Sequence, residues 1–174
     1  MREPLNISID WKEKMQFTAT NDKSDYEVAI DVPNKDEGGE NKGTTPKLLF
    51  LQSIAGCTGQ IIVMFLRKMK ADMPTKFKVD VAGRLTSDHP MYFESIDITY
   101  YVEGNTDVNK LKKVIKMSEQ QYCGLTLMVS KLANINTVVL ILANLLTIKV
   151  NPQYCCSLIL ITFLSLLTSV LPFT

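Results

Sequence analysis

Apolar and polar side chains alternate in short runs over the first thirty residues. ISIDW, MQFTAT and YEVAIDV carry the period of half-buried strands, and the polar NDKSD between the last two is turn chemistry. An opening hairpin or meander is therefore predicted across residues 6–30. The alternation stops at NKDEGGENKGTT, residues 34–45, a polar, glycine-bearing stretch expected to be a flexible loop rather than a catalytic one. Beyond it Thr44 or Thr45 can cap a helix whose first position is Pro46, where proline's fixed φ and missing N–H cost nothing. The following KLLFLQSIAGCTGQIIVMFLRKMKA is apolar almost all round, which predicts a buried central helix ended by Asp72, Met73 and Pro74.

The two-residue period returns in KFKVDVAGRLT and YFESIDITYYVEG, two strands separated by the turn SDHP. After Gly104, Asp107 is placed to cap a helix in DVNKLKKVIKMSEQQ, whose Val108, Leu111, Val114, Ile115 and Met117 fall near helical spacing. Tyr122, Cys123 and Gly124 interrupt before a further apolar stretch, LTLMVSKLA, so Cys123 falls at a helix junction. Strands and helices in this order predict one mixed α/β (α+β) domain over residues 1–134.

Composition alters that picture in one place. With 174 residues, 46% hydrophobic, 21% charged and a net charge of +1, the chain suits one folded domain and excludes general disorder. It offers no basic field, so no nucleic-acid partner is expected. After Asn134, however, the only charged side chain is Lys149. Residues 135–174 form an atypical apolar tail with three readings: a misread terminus, a C-terminal membrane anchor, or helices packed on the domain. Cys155 to Leu171 is uncharged and approaches the ~20 apolar residues that cross a bilayer, but Asn151, Pro152 and Gln153 interrupt the region. The abrupt change at Asn134 favours the first reading, and a membrane is a partner only if the anchor is real. The N-terminal MREPLNISIDWKEKM has no apolar run of a secretory signal, which points to a cytoplasmic, reducing setting.

The four cysteines are Cys57, Cys123, Cys155 and Cys156, and their spacing does not suit a zinc site. No metal or cofactor is expected. In a reducing compartment Cys57 and Cys123 are reactive or buried thiols rather than staples. Met64, Met69, Met73, Met117 and Met128 read as packing, KLKKVIK as a solvated helix face, and His89 as part of a turn. Asp80, Asp88, Glu94 and Asp97 lack the convergence of an acid–base pair.

Cys57 lies in PKLLFLQSIAGCTGQIIVMFLRKM. An HPMYFESIDITYYVEG segment follows, and then Cys123 closes SEQQYC. In order and spacing these three segments resemble the OsmC/Ohr family over roughly residues 10–134. The resemblance implies an intertwined homodimer of α/β subunits, with curled antiparallel sheets around two central helices. It also implies a thiol-dependent peroxidase for organic hydroperoxides: Cys57 attacks the peroxide and becomes a sulfenic acid, and Cys123 captures that as a disulfide. A lipoyl or thioredoxin-like dithiol reductant would close the cycle, without metal or flavin. Active peroxidases of the family assist the thiolate with an arginine from the N-terminal strands and a glutamate beside the helix-opening proline. Here Trp11 to Tyr26 contains no arginine, and Lys47 and Leu48 follow Pro46. Arg84, His89 or a residue of the partner subunit are the substitutes to consider. The alternative function is a non-catalytic OsmC-like protein that binds a small ligand. The family's last amphipathic strand falls where this chain turns apolar, so the sheet is expected to lose it.

Overall fold

The computed structural model describes residues 3–141 together with the strands at 146–150 and 162–163. The chain forms two compact units, residues 1–52 and 53–174.

In the first unit β1 (Ile7–Glu13), β2 (Gln16–Asn21) and β3 (Val28–Ile30) make an antiparallel sheet in that order. Lys14 makes the β1–β2 turn in the left-handed region, φ 48°, and the Trp11 indole N–H donates to its carbonyl at 2.9 Å. The stretch expected as a flexible loop is instead pinned. Asp31 is buried, and its carboxylate accepts the backbone N–H groups of Val32, Glu40 and Lys42 at 2.8–3.0 Å. These bonds, that from Lys42 foremost, hold the carboxyl below its ordinary value against the cost of burial. Glu40 is drawn down to about 2 by hydrogen bonds from Lys14 and Lys42.

The helix α1 (Pro46–Lys68) starts at the predicted proline, with Thr45 Oγ1 accepting the Leu48 N–H. The remaining elements of the second unit are β4 (Lys76–Leu85), β5 (Phe93–Glu103), α2 (Val108–Met117), a π turn at Ser118–Tyr122, α3 (Gly124–Val129), β6 (Asn134–Ile141), β7 (Leu146–Val150) and β8 (Thr162–Phe163). Asp107 caps α2 as expected, accepting from the N–H groups of Asn109 and Lys110. The sheet order is β4-β5-β6-β7-β8. All its pairs are antiparallel except β5–β6, which is parallel where antiparallel pairing alone was expected. A strand reached through an intervening helical crossover returns in the same direction, and α2 and α3 provide that crossover.

The core follows from two periodicities. Ile96, Ile98, Tyr100 and Val102 on β5 are fully buried, one at every second position. On α1 the buried side chains Ile54, Thr58, Ile62 and Leu66 stand four apart, a single stripe, and Leu111, Val114 and Ile115 of α2 join the buried set. The rest of α1 corrects the expectation of an all-round buried helix: Leu48, Phe50 and Met64 are exposed.

The expected loss of the last strand is also corrected. Asn134–Ile141 pairs with β5 from Ser95 to Val102, so the sheet continues past residue 134. Ile135, Thr137, Val139 and Ile141 point inward between more exposed neighbours. NINTVVLI thus keeps the inward period of a strand although its outward side chains are uncharged, and composition alone concealed this. The anchor, misread-terminus and packed-helix readings of the tail rest chiefly on residues 151–161 and 164–174, which lie outside the described residues.

Candidate functional site

Cys57 lies midway along α1, and Cys123 occupies the irregular step between the π turn and α3. Leu111, Val114 and Ile115 anchor α2, and the helix then widens by one residue. The Cys123 N–H bonds the Ser118 carbonyl at 2.7 Å, five residues back, where an α-helix would have used four. Cys123 leaves helical geometry at φ −83°, ψ 96° and becomes the N-cap of α3. Its sulfur, fully buried, accepts the Thr126 N–H at 3.4 Å and the Thr126 hydroxyl at 3.0 Å. A widened turn followed by a cap aims one cysteine inward, where a continuous helix would have carried it round the axis.

This geometry brings the two sequence-predicted cysteines together. Both are free thiols, Cys57 half-buried, and they lie close enough for Cys123 to act on the Cys57 thiol. Burial, followed by the bond and charge of Cys123, pushes the Cys57 thiol up to about 11, and the Leu125 backbone N–H opposes the shift. Leu125 and Thr126, in the first turn of α3, thus direct donors at the two sulfurs. Among the described residues no cation acts on Cys57. Arg84 pairs with Asp97 at 2.9 Å, Lys47 is exposed at the start of α1, and His89 stands exposed in its turn before a cis Pro90.

The glycines flanking Cys57 have different surroundings. Gly59 is buried, and a Cβ there would make ordinary contact with Val79 Cγ2 at 3.4 Å and Phe77 at 3.7 Å. A Cβ at Gly56 would meet open space. Gly56 borders a mainly apolar cleft of about 510 Å³ that also involves Gln60, Met64, Arg67 and Phe77.

Sequence reasoning missed a polar cluster next to Cys57 in which Thr58, Tyr100, Ser118 and Thr137 are buried and Glu119 is half-buried. Thr58 Oγ1 lies 2.7 Å from the Tyr100 hydroxyl and 2.9 Å from Ser118 Oγ. The Tyr100 hydroxyl donates to Glu119 Oε1 at 3.3 Å, and Thr137 Oγ1 donates to the same oxygen at 2.7 Å. Burial raises the Glu119 carboxyl above its ordinary value, and the two hydroxyl donors oppose this. Burial, with the Glu119 charge next, also raises the Tyr100 phenol. The signal was present: Thr58 directly follows Cys57, and Ser118 and Glu119 open the same SEQQYC segment. What the sequence could not supply was that Tyr100 and Thr137, on neighbouring strands, meet there. Among the described residues no three metal-ligating side chains gather.

Residues 39–138 match the family model described as OsmC-like protein. The Escherichia coli K12 protein YhfA is 25% identical over 136 residues, covering 75% of this chain and 93% of YhfA. A solved OsmC-like protein from Mycoplasma pneumoniae superposes with a TM-score of 0.70 at 16% identity, over 82% of this chain and 99% of that one. A Legionella pneumophila structure, described as an organic hydroperoxide resistance protein OsmC and predicted redox protein, gives 0.57 at 13% identity over 80% and 96%. The family model spans more than half of the chain and the solved structures share its two-sheet α/β fold, so this protein belongs to the OsmC-like family.

Proposed function

We propose that the protein is a thiol-dependent peroxidase for organic hydroperoxides, with Cys57 as the attacking and Cys123 as the resolving cysteine. The observation that carries this reading is a pair of free thiols, Cys57 half-buried and Cys123 fully buried, close enough for Cys123 to act on the Cys57 thiol. A thiolate at Cys57 displaces alkoxide from the hydroperoxide and becomes a sulfenic acid. Cys123 then attacks that sulfur, water leaves, and a disulfide remains. The Leu125 N–H and the two Thr126 donors stabilise negative charge on each sulfur in turn. A lipoyl or thioredoxin-like dithiol returns the disulfide to two thiols in a reducing, cytoplasmic setting.

A Cys57 thiol held near 11 is almost wholly protonated at neutral pH, so a positive charge must reach it in the working assembly. We place that charge on a second copy of the chain. Every residue of β1 is exposed, including Ile7, Ile9 and Trp11, and α1 exposes Leu48, Phe50 and Met64. α1 is also long and apolar enough to cross a membrane. Its buried stripe, with a hydroxyl at Thr58 bonded to Tyr100, fits a helix packed on a sheet better than one in lipid. Light scattering during gel filtration should give twice the chain mass at micromolar concentration without detergent. A monomer there would remove the dimer and its supplied charge together.

The raised Cys57 thiol and the apolar cleft beside Gly56 favour a second reading, an OsmC-like protein that binds a small apolar ligand without chemistry. One experiment separates the two. Protein with Cys155 and Cys156 replaced by serine is treated with one equivalent of cumene hydroperoxide, and its thiols are mapped by mass spectrometry. A Cys57–Cys123 disulfide formed as the peroxide disappears supports the enzyme, whose turnover is then measured with dihydrolipoamide. Two free thiols beside unconsumed peroxide would leave the binding reading.

A further inference from the structure

A disulfide between Cys57 and Cys123 must be opened again, and the two sulfurs are not equally open to a reductant. Cys57 is half-buried, whereas Cys123 has no exposed surface. A dithiol therefore meets the sulfur of Cys57, and Cys123 is the leaving group. A sulfur leaves a disulfide readily only as a stable thiolate, and a thiolate out of water is costly unless donors surround it. At Cys123 the chain supplies them. Thr126, three residues on, directs its hydroxyl to the Cys123 sulfur at 3.0 Å and its backbone N–H to the same atom at 3.4 Å. Thr126 is itself only 2% exposed, so its hydroxyl needs a partner inside the protein, and the sulfur is that partner. The N–H would be present with any residue but proline at this position, whereas the hydroxyl is a feature of the side chain. A valine would fill the same space without a buried polar group to satisfy. Threonine's branched Cβ restricts its χ1, which keeps the donor aimed.

We propose that Thr126 is a third member of the thiol centre, whose hydroxyl makes Cys123 the leaving thiolate when a dithiol opens the Cys57–Cys123 disulfide. This assignment rests on the thiol-pair reading above and concerns the step that restores the pair. One thiolate of the dithiol bonds the Cys57 sulfur, the Cys57–Cys123 bond breaks, and its electron pair passes to Cys123, where both Thr126 donors meet it. The second thiol of the reductant then attacks its own sulfur in the mixed disulfide and releases Cys57. The dithiol is oxidised to a disulfide, both cysteines are reduced, and the two protons of the dithiol end on them. The Thr126 hydroxyl bonds the Cys123 sulfur, so its removal acts on the departure of that sulfur and not on attack at Cys57.

The thiol oxidant diamide closes the disulfide without any peroxidase activity, and reopening by excess dihydrolipoamide is then followed in the full chain with Cys155 and Cys156 replaced by serine. Thr126→Val keeps the shape and the N–H but not the hydroxyl, and it should slow reopening roughly tenfold. Thr126→Ser restores the hydroxyl and should return the rate to within about threefold of the parent. A second substrate separates departure from access. With Cys123 replaced by serine, Cys57 is loaded as a mixed disulfide with the coloured thiol of dithiobis(nitrobenzoate), and the same dithiol releases the dye. No Cys123 thiolate leaves there, so Thr126→Val should release the dye as fast as Thr126 does. Equal slowing in both reactions would mean that the substitution only disturbs the approach to Cys57, and it would overturn the proposal. Reopening at the parent's rate in folded Thr126→Val, judged by matched melting curves, would overturn it too, and Thr126→Ala decides the matter if the valine variant does not fold. Thr126-dependent reopening in a protein that leaves cumene hydroperoxide untouched would support this assignment and refute the peroxidase, whereas peroxide turnover with reopening indifferent to Thr126 would do the reverse. Failure of diamide to link Cys57 to Cys123 would refute the pair and the role of Thr126 together.

Discussion

Replacing Cys57 with serine should abolish hydroperoxide consumption, lowering the rate on the order of 10³-fold or more, because a serine hydroxyl carries no comparable fraction of anion at neutral pH. Cys123→Ser should behave differently. It leaves the attacking thiol in place, so one equivalent of cumene hydroperoxide is still consumed and a sulfenic acid accumulates at Cys57, where dimedone traps it. Turnover then stalls for want of the resolving sulfur. The contrast follows from the positions of the two thiols: Cys57 is half-buried and reachable, Cys123 fully buried behind it. Both serines are close in size to the thiols they replace, so matched melting curves guard against loss of fold. Wild-type peroxide consumption by Cys57→Ser would place the chemistry elsewhere, and immediate inactivation of Cys123→Ser without a sulfenic acid would exchange the roles.

Ile98→Ala should destabilise the protein by about 2–5 kcal/mol, whereas Thr99→Ala next to it should cost less than ~1 kcal/mol. Ile98 has no exposed surface and sits at the centre of β5, with β4 on one side and β6 on the other. Shortening it leaves a cavity in a layer also filled by Ile96, Tyr100 and Val102 of the same face. Thr99 points to the opposite, half-exposed face. Urea unfolding at one fixed protein concentration measures both, since association adds to apparent stability. Equal costs at the two positions would mean that β5 does not alternate between buried and open faces as described.

The sequence determined by itself whatever depends on local pattern. Pro46 after a threonine cap started α1, Asp107 started α2, and strict alternation in YFESIDITYYVEG placed β5, because these signals act through bonds and side chains a few residues apart. The segments around Cys57 and SEQQYC were enough to mark both cysteines and the family. Local pattern also misled in two places. α1 reads as buried on all sides, yet composition counts apolar residues without showing what covers them, and the chain itself buries only the stripe from Ile54 to Leu66. NINTVVLI reads as part of an apolar tail, but its inward residues meet β5 in parallel register, a pairing that depends on where α2 and α3 return the chain.

Only the tertiary structure decided the surroundings of the thiols. Where Cys123 leaves the helix is set by one widened turn, a hydrogen bond from Cys123 to Ser118 that no residue spacing announces. Glu119, Tyr100, Thr58 and Thr137 come from a helix junction, two strands and a second helix, and each alone is an ordinary residue in an ordinary place. Their hydrogen bonds are set by separations of about three ångströms between side chains distant in sequence. Such separations arise only when the elements pack, because hydrogen bonds and charge act through space, whereas a sequence records neighbours along the chain.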